Sequence, residues 1–311
     1  MFELPVVDFR LYSSGSPSDR ASFCDAFGRS LREHGFGVVA EHPVSRPRIE
    51  RAFALCEAFF LRPDAEKRAL IVPESRGNRG YVPFGGERAV GAKLADLKEF
   101  FHIGQERPAA GLALHGNAWP THDPAFRDEL SALYADFERT AKSLLEAIAT
   151  HLDLAPQHFS SMVDGGDSIL RLIHYPPVPD DAPSGAIRAA AHEDINLITL
   201  LAEGTSGGLE LLGRDGDWHA VHSLRGHLVI NAGDMLQRAT HGRIRSTTHR
   251  VVNPVAGNAR RISIPFFTHP RPDVLLDPMA PEPGYAGPTH TAITAGAYLA
   301  ERLAAIAAKQ R

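Results

Sequence analysis

The chain is poor in cysteine: two thiols in 311 residues, with only two tryptophans and four methionines. Two cysteines cannot build the disulfide framework of a small secreted domain. Both sit in apolar helical stripes, Cys24 with Phe27 and Leu31, and Cys56 with Ile49, Phe53 and Phe60. They read as small buried hydrophobes in a reducing compartment, so a cytoplasmic location is expected. No run approaches the roughly eighteen apolar residues of a membrane span. The opening MFELPVVDFR has neither the basic nor the long apolar region of a secretory signal, so none is expected. Basic charge is not in excess either. Lys and Arg number 33 against 37 Asp and Glu, a net charge of −4, which argues against a nucleic-acid partner. A composition of 43% hydrophobic and 23% charged residues excludes a disordered chain. Internal repeats and low-complexity tracts are absent. What is abundant is histidine, with sixteen residues, which raises the expectation of metal or acid–base chemistry.

The first third alternates strands and helices. LPVVDF at Leu4–Phe9 and the run Phe36–Ala40 read as strands. Ser18–Arg32 reads as a helix with Phe23, Phe27 and Leu31 on one face, stopped by a C-cap at Gly35. A second helix begins near Pro47, and Glu74–Gly91 is a glycine-rich loop. A long helix is expected from Pro124 to His151, with Phe126, Leu130, Leu133, Phe137, Leu144 and Ile148 on one face. From Ser168 the period changes to two. Short apolar runs at Ile169–Tyr175, Ile195–Leu201, Leu209–Leu212, Trp218–Val221, His227–Ile230, Thr247–Val252 and Arg261–Phe267 are separated by turn residues. Such spacing points to an antiparallel barrel or double-sheet jelly roll. A helix from about Ala292 to Lys309, amphipathic through Tyr298, Leu303 and Ile306, closes the chain.

A mononuclear non-haem iron site needs two imidazoles and a carboxylate on one side of the metal. His-x-Asp on a strand supplies two of these, because residues i and i+2 point the same way. With 16 His and 19 Asp, chance alone yields about one such pair, so the bare motif is weak. Two occur. His151-Leu-Asp153 ends the long helix, where i and i+2 are splayed by roughly 200°, and reads as solvated helix-end polarity. His192-Glu-Asp194 enters the β-patterned AAAHEDINLITLL and has the right geometry. The third ligand must be a distant His. His219, His222, His227, His241 and His249 are candidates by position, and His249 is preferred because it lies inside the strand-like STTHRVV. On the next strand, RRISIPFF, Arg261 and Ser263 share one face while Ile262, Ile264 and Phe266 share the other. An Arg inside a barrel is a buried charge that demands an anion. Its planar fork fits a carboxylate bidentately, and Ser263 can add a hydroxyl bond. A small dicarboxylate with one end on the metal and the other on Arg261 would satisfy every group.

The order of His192-x-Asp194, GGLELL at Gly207–Leu212, WHAV, LVINAGDMLQRATHGRIRSTTHRVV and RRISIPFF resembles the iron(II)/2-oxoglutarate-dependent oxygenases of the isopenicillin N synthase-like family. The resemblance extends to the N-terminal region through LPVVDF, REHGFGVVAEHPV, EAFFLRPDAEKRAL, GYVPFGGE and DLKEFF. Its most specific elements are Asn231-x-Gly233-Asp234 and the Ser-x-x-His-Arg-Val run from Ser246 to Val251. The resemblance implies that His192, Asp194 and His249 are the catalytic metal ligands for Fe(II). It implies that Arg261 and Ser263 grip the distal carboxylate of 2-oxoglutarate, with Tyr175 of HYPP also at the cosubstrate. Ile173 stands where many members carry Asn. Arg171, on the same strand face as Ile173 and Tyr175, either contacts the cosubstrate or a substrate carboxylate or pairs with a structural acid. Specificity is expected from Arg76–Glu87 and from residues near Leu209–Leu211, with Arg79 and Tyr81 as substrate-reading candidates.

The fold implied is a double-stranded β-helix core with a helical N-terminal region and a C-terminal helix. The expected segments are 1–120, an N-terminal helix and strand region packed on the core; 121–165, a long connecting helix; 166–275, the jelly-roll catalytic core; and 276–311, a C-terminal loop and helix. The activity implied is oxidation, most often hydroxylation, of a small organic molecule with molecular oxygen, releasing succinate and carbon dioxide. The alternatives are a 2-oxoglutarate-independent oxidase of the isopenicillin N synthase type and a non-catalytic jelly-roll binding protein.

Overall fold

The computed structural model describes residues 2–89, 91–202, 204–222, 226–255, 257–284 and 287–308. Eight helices are seen among them: α1 Phe9–Ser13, α2 Pro17–His34, α3 Arg46–Phe60, α4 Asp64–Arg68, α5 Pro124–His151, α6 Gln157–Ser160, α7 Asp234–Ala239 and α8 Ala295–Ala308. The principal strands are β1 Val6–Asp8, β2 Phe36–Ala40, β3 Gly80–Val82, β4 Glu99–Gly104, β5 Ile169–Tyr175, β6 Ala189–His192, β7 Ile198–Ala202, β8 Leu209–Leu212, β9 Trp218–Ala220, β10 Leu228–Ala232, β11 His249–Val251 and β12 Arg261–Thr268. An eight-stranded sheet in the order β1-β2-β10-β7-β12-β5-β4-β3 faces a four-stranded sheet in the order β6-β11-β8-β9. Together they form the jelly roll. The N-terminal segment supplies β1 to β4 to the larger sheet, extending it at both edges.

Period-two alternation decides which side chains enter the barrel. On β12, Ile262, Ile264 and Phe266 turn outward to the helices and are 3% exposed or less. Phe266 stacks on Phe137 of α5 at 5.7 Å and meets Tyr134 edge-on at 5.0 Å. Burying such a ring contributes roughly 1.5–3 kcal/mol. The alternate residues Arg261, Ser263 and Phe267 are thereby directed to the interior.

Helix α2 is closed at both ends by local chemistry. Ser16 and Asp19 form a reciprocal capping box with Pro17 in the first turn, and Gly35 ends the helix at φ +69°. A Cβ at Gly35 would stand 2.1 Å from Thr247 Oγ1. The glycine therefore also lets the helix end approach the segment leading into β11. Thr247 Oγ1 in turn donates to the carbonyl of His34 at 2.9 Å.

Several expected boundaries shift for physical reasons. The strand expected from Ile195 begins at Ile198, because residues 193–197 form the turn that carries Asp194. His151 is not a solvated helix end: its side chain is 10% exposed and packs where a Cβ on Gly28 would stand 2.1 Å from the ring. Helix α8 lies against its own barrel, with Leu299, Arg302 and Leu303 at the mouth of the central cavity. Lys309 and the side chain of Ile306 lie outside the described residues. No helix among the described residues is long and apolar enough to cross a membrane.

Replacing Gly35 with Ala should lower the unfolding free energy by at least the roughly 1–2 kcal/mol that a left-handed L-residue costs, and with it the urea midpoint. An unchanged midpoint would mean that the close approach to Thr247 is dispensable.

Candidate active site

The antiparallel pairing of β6 with β11 sets His192 directly opposite His249. The two rings lie 4.4 Å apart. His192 Nδ1 donates to the Ala190 carbonyl at 2.7 Å, and His249 Nδ1 donates to the Thr247 carbonyl at 3.1 Å. Carbonyls only accept, so both imidazoles carry their proton on Nδ1 and present the Nε2 lone pair. Asp194 follows β6 in the turn, with its carbonyl accepting from Asp234 N at 2.7 Å. Its Oδ2 is occupied by Thr199 Oγ1 at 2.5 Å and Asn231 Nδ2 at 2.8 Å. That leaves Oδ1, which lies 3.9 Å from each Nε2. One ligand atom from each residue thus falls within 4.8 Å of the others.

Electrostatics suit the same purpose. Burial, reinforced by His249, pushes the His192 pKa down to about 4, so the ring is neutral at pH 7. Burial opposes the Asp194 carboxylate, but His249, His192 and the bonds from Thr199 and Asn231 outweigh it and hold its pKa below the ordinary value. Two imidazoles and a carboxylate are the donor set that ferrous iron takes in oxygen-using sites. The residues fit the ion. The other candidates do not compete: His219, for example, pairs with Asp215 at 2.9 Å on the surface.

Further down the barrel, Arg261 pairs across strands with Tyr175, and Ser263 with Ile173. Arg261 is 3% exposed, and both Ser263 and Tyr175 are equally enclosed. Its Nε donates to the Ser206 carbonyl at 3.0 Å, and its carbon centre lies 5.1 Å from the Tyr175 ring. Nη1 is buried with no hydrogen-bond partner, and no acid pairs with this guanidinium among the described residues. A Cβ on Gly204 would fall 2.9 Å from Nη2, so that glycine keeps the cradle open. A buried, unpaired guanidinium is costly. A carboxylate entering the cradle removes that cost, so these residues fit the far end of 2-oxoglutarate.

Above this level lies a cavity of about 1030 Å³ that includes His192 and Asp194. Its wall carries Lys98, Phe100, His102, Arg171, Phe267 and His269. Arg171 Nη1 binds Glu87 Oε2 at 3.2 Å, and Arg171 Nε donates to His102 Nε2. The guanidinium carbon lies 4.3 Å from the Phe100 ring and 5.0 Å from the Phe267 ring. His102 Nδ1 donates to the Gly77 carbonyl at 2.7 Å. Burial first, then the Arg171 charge, keeps His102 neutral.

Two expected substrate readers are corrected. Arg79 and Tyr81 are each 2% exposed and turned away from the cavity. Arg79 is committed to Asp167 at 2.6 Å and to the carbonyls of Asn78 and His115. Tyr81 donates to Glu99 inside the core, beside Lys67. Leu209–Leu211 also do not line the cavity, whereas the loop from Arg76 to Glu87 does. Asn231 lies in β10, and its Nδ2 donates to Asp194 Oδ2. Sequence reasoning passed over Lys98 and His102. Their period-two spacing with Phe100 in LKEFFH was the available signal.

A jelly roll that gathers two imidazoles and one carboxylate above a buried arginine defines a mononuclear non-haem iron oxygenase. Residues 166–270 match the family model of the 2OG-Fe(II) oxygenase superfamily, and residues 4–122 match that of the non-haem dioxygenase in morphine synthesis N-terminal region. The chain is 33% identical to the 2-oxoglutarate-Fe(II) type oxidoreductase ppzD of Metarhizium rileyi, over 96% of this chain and 90% of that protein. A 2OG-Fe(II) oxygenase family protein from Caulobacter crescentus superposes with a TM-score of 0.84 at 39% identity, covering 97% of this chain and 98% of the other. A Neurospora crassa protein solved in complex with alpha-KG and thymine superposes with a TM-score of 0.86 at 29% identity, covering 97% and 96%. The chain belongs to the 2OG-Fe(II) oxygenase superfamily. It is a non-haem dioxygenase dependent on Fe(II) and 2-oxoglutarate.

Replacing Asp194 with Ala should abolish ferrous binding in an anaerobic titration; unchanged affinity would overturn the ligand assignment. Stability should also fall in acid. His102, His192 and His269 are all held below the usual imidazole pKa, chiefly by burial. The unfolded chain therefore takes up protons first as pH drops below about 6.5, and folding weakens from there towards pH 4. Urea midpoints of the metal-free protein that do not decline between pH 7 and pH 5 would contradict this.

Proposed function

We propose that this enzyme hydroxylates a small organic molecule, consuming 2-oxoglutarate and molecular oxygen and releasing succinate and carbon dioxide. The observation that carries the reading is the buried Arg261, its Nη1 without a partner among the described residues, enclosed with Ser263 and Tyr175. In this reading Arg261 takes the distal carboxylate of the cosubstrate bidentately, Ser263 adds a hydroxyl bond, and Tyr175 walls the guanidinium on its other side. Ile173, beside Ser263, keeps this end apolar. Iron with 2-oxoglutarate supplies the oxidising power when bound, and the protein orients the substrate above it and excludes water. The kinship with 2-oxoglutarate-dependent oxygenases disfavours a 2-oxoglutarate-independent oxidase.

Arg171 is the substrate residue in this reading, with Phe100 and Phe267 beside its guanidinium. The ions of this wall already answer one another: Lys98 pairs with Glu87 and Asp96, and Arg171 with Glu87. Lys98 and Arg171 thus already have acidic partners among the described residues and do not need a substrate carboxylate. This supports an uncharged substrate with a flat, hydrogen-bonding face, laid against Arg171 and the two rings. The thymine bound by the Neurospora crassa relative has that character.

Succinate formation measured over a panel of small molecules tests the reading: uncharged planar compounds should stimulate 2-oxoglutarate turnover more than carboxylated ones. Oxygen uptake that proceeds without added 2-oxoglutarate would sink it. Arg261→Ala should raise the 2-oxoglutarate KM by about tenfold or more, the loss of a charge-assisted bond of roughly 1.5–3 kcal/mol. An unaltered KM counts against the role of Arg261.

A further inference from the structure

We infer that Asp96 is a positioning residue for the iron ligand His192, and that Lys98 holds it to that task. The inference rests on the triad being the metal site. Strand β6, which ends in His192, is the outermost strand of its sheet, paired with β11 on one side only. The free edge of such a strand leaves backbone groups without a partner. Here the segment before β4 stands where the next strand would be. Leu97 N donates to the Ile187 carbonyl at 3.0 Å, and Ala190 N donates to Asp96 Oδ1 at 3.0 Å.

The contact falls where β6 is weakest. His192 lies opposite His249, but Ala189 lies opposite Val251, so two residues of β6 face one of β11 between them. That is a β-bulge, which interrupts the ladder and bends the strand. Ala190 is one of the two bulged residues. Its carbonyl is also the group that accepts His192 Nδ1–H at 2.7 Å and sets the direction of the ring. Asp96 therefore anchors the residue that aims the ligand. Partners that orient a ligating imidazole tune a metal site nearly as strongly as the ligands themselves.

Asp96 is itself held firmly. It is 3% exposed, and its Oδ2 pairs with Lys98 Nζ at 2.8 Å. Lys98, 4% exposed, binds Glu87 at 2.7 Å as well, and Asp96 N donates to the Glu87 carbonyl at 3.0 Å. Because Glu87 also meets Arg171, one continuous chain of ions runs from the cavity wall to the strand of the first imidazole. A buried carboxylate without Lys98 would be strongly disfavoured. With it, Asp96 has a single stable orientation, aimed at Ala190.

The probe is Co(II), titrated into the metal-free full-length protein and followed by its d–d absorption, with thermal midpoints measured beside it. Asp96→Ala should weaken Co(II) binding by about tenfold or more, the usual effect of removing such a support, and shift the absorption bands. Asp96→Asn keeps an acceptor for Ala190 N–H but loses the charge that locks it, and should give a smaller loss. Lys67→Met is the control: it breaks an equally buried pair, Lys67–Glu99 at 2.7 Å, on the other face of β4. It should lower the thermal midpoint yet leave Co(II) affinity as in the wild type. At saturating metal the 2-oxoglutarate KM of Asp96→Ala should be unchanged. The inference falls if Asp96→Ala binds Co(II) like the wild type, or if Lys67→Met weakens binding as much. Should Asp96→Ala not fold, wild-type affinity in Asp96→Asn is enough to overturn it. Wild-type protein that takes up no Co(II), or Asp194→Ala that binds it normally, would remove the triad reading and the clamp with it.

Discussion

The structure depends on one cross-strand register, His192 opposite His249 on β6 and β11. A slip of one residue would turn one of the two imidazoles to the outer face of the sheet, because strand side chains alternate. Nearly every polar contact around the site serves to keep that register and the orientation of its side chains. Backbone carbonyls two residues before each histidine take the Nδ1 proton. Thr199 and Asn231, neighbours across β7 and β10, occupy one oxygen of Asp194 and leave the other for the metal. Asp96 supports the bulged edge from outside the sheet.

The same alternation organises the rest of the barrel. Outward residues of β12 meet aromatic side chains of α5 and give the sheet its apolar support. Inward residues form successive levels: Arg261 with Tyr175, then Ser263 with Ile173, then Phe267 beside Arg171. Each level has its own chemistry because neighbouring strands are held at fixed offsets. The wide cavity beside the triad is bordered by α8, whose Arg302 binds Asp234 at 2.9 Å. Asp234 N in turn bonds the carbonyl of the ligand Asp194, so the helix and the metal turn share an anchor.

Much of this was legible in the chain. The helices α2 and α5 follow from their apolar stripes and from local stop signals such as Gly35. The β-rich second half follows from period two, and Arg261 and Ser263 were placed on one face by the same rule. The metal ligands were legible because His-x-Asp is compact in sequence and because the surrounding motifs come in a characteristic order. The failures have a common cause. Arg79 and Tyr81 lie in the right loop and strand, but which face of β3 meets the cavity depends on its pairing with β4. The hold of Asn231 on Asp194 likewise depends on β10 lying beside β7. The strand expected through Asp194 is instead a turn, since Asp194 must be offered to the metal with its carbonyl tied to α7.

Composition and periodicity determined a β-rich core flanked by helices and the residue types capable of iron chemistry, and the order of motifs pointed to the jelly roll, because helical stripes, alternation and capping are properties of a few neighbouring residues. Only the tertiary structure decided which oxygen of Asp194 stays open, and how Lys98, His102 and Asp96 enter the site. Those choices are made by pairings between segments tens of residues apart. Their register is settled by packing and hydrogen bonding of the whole barrel, and no local pattern encodes it.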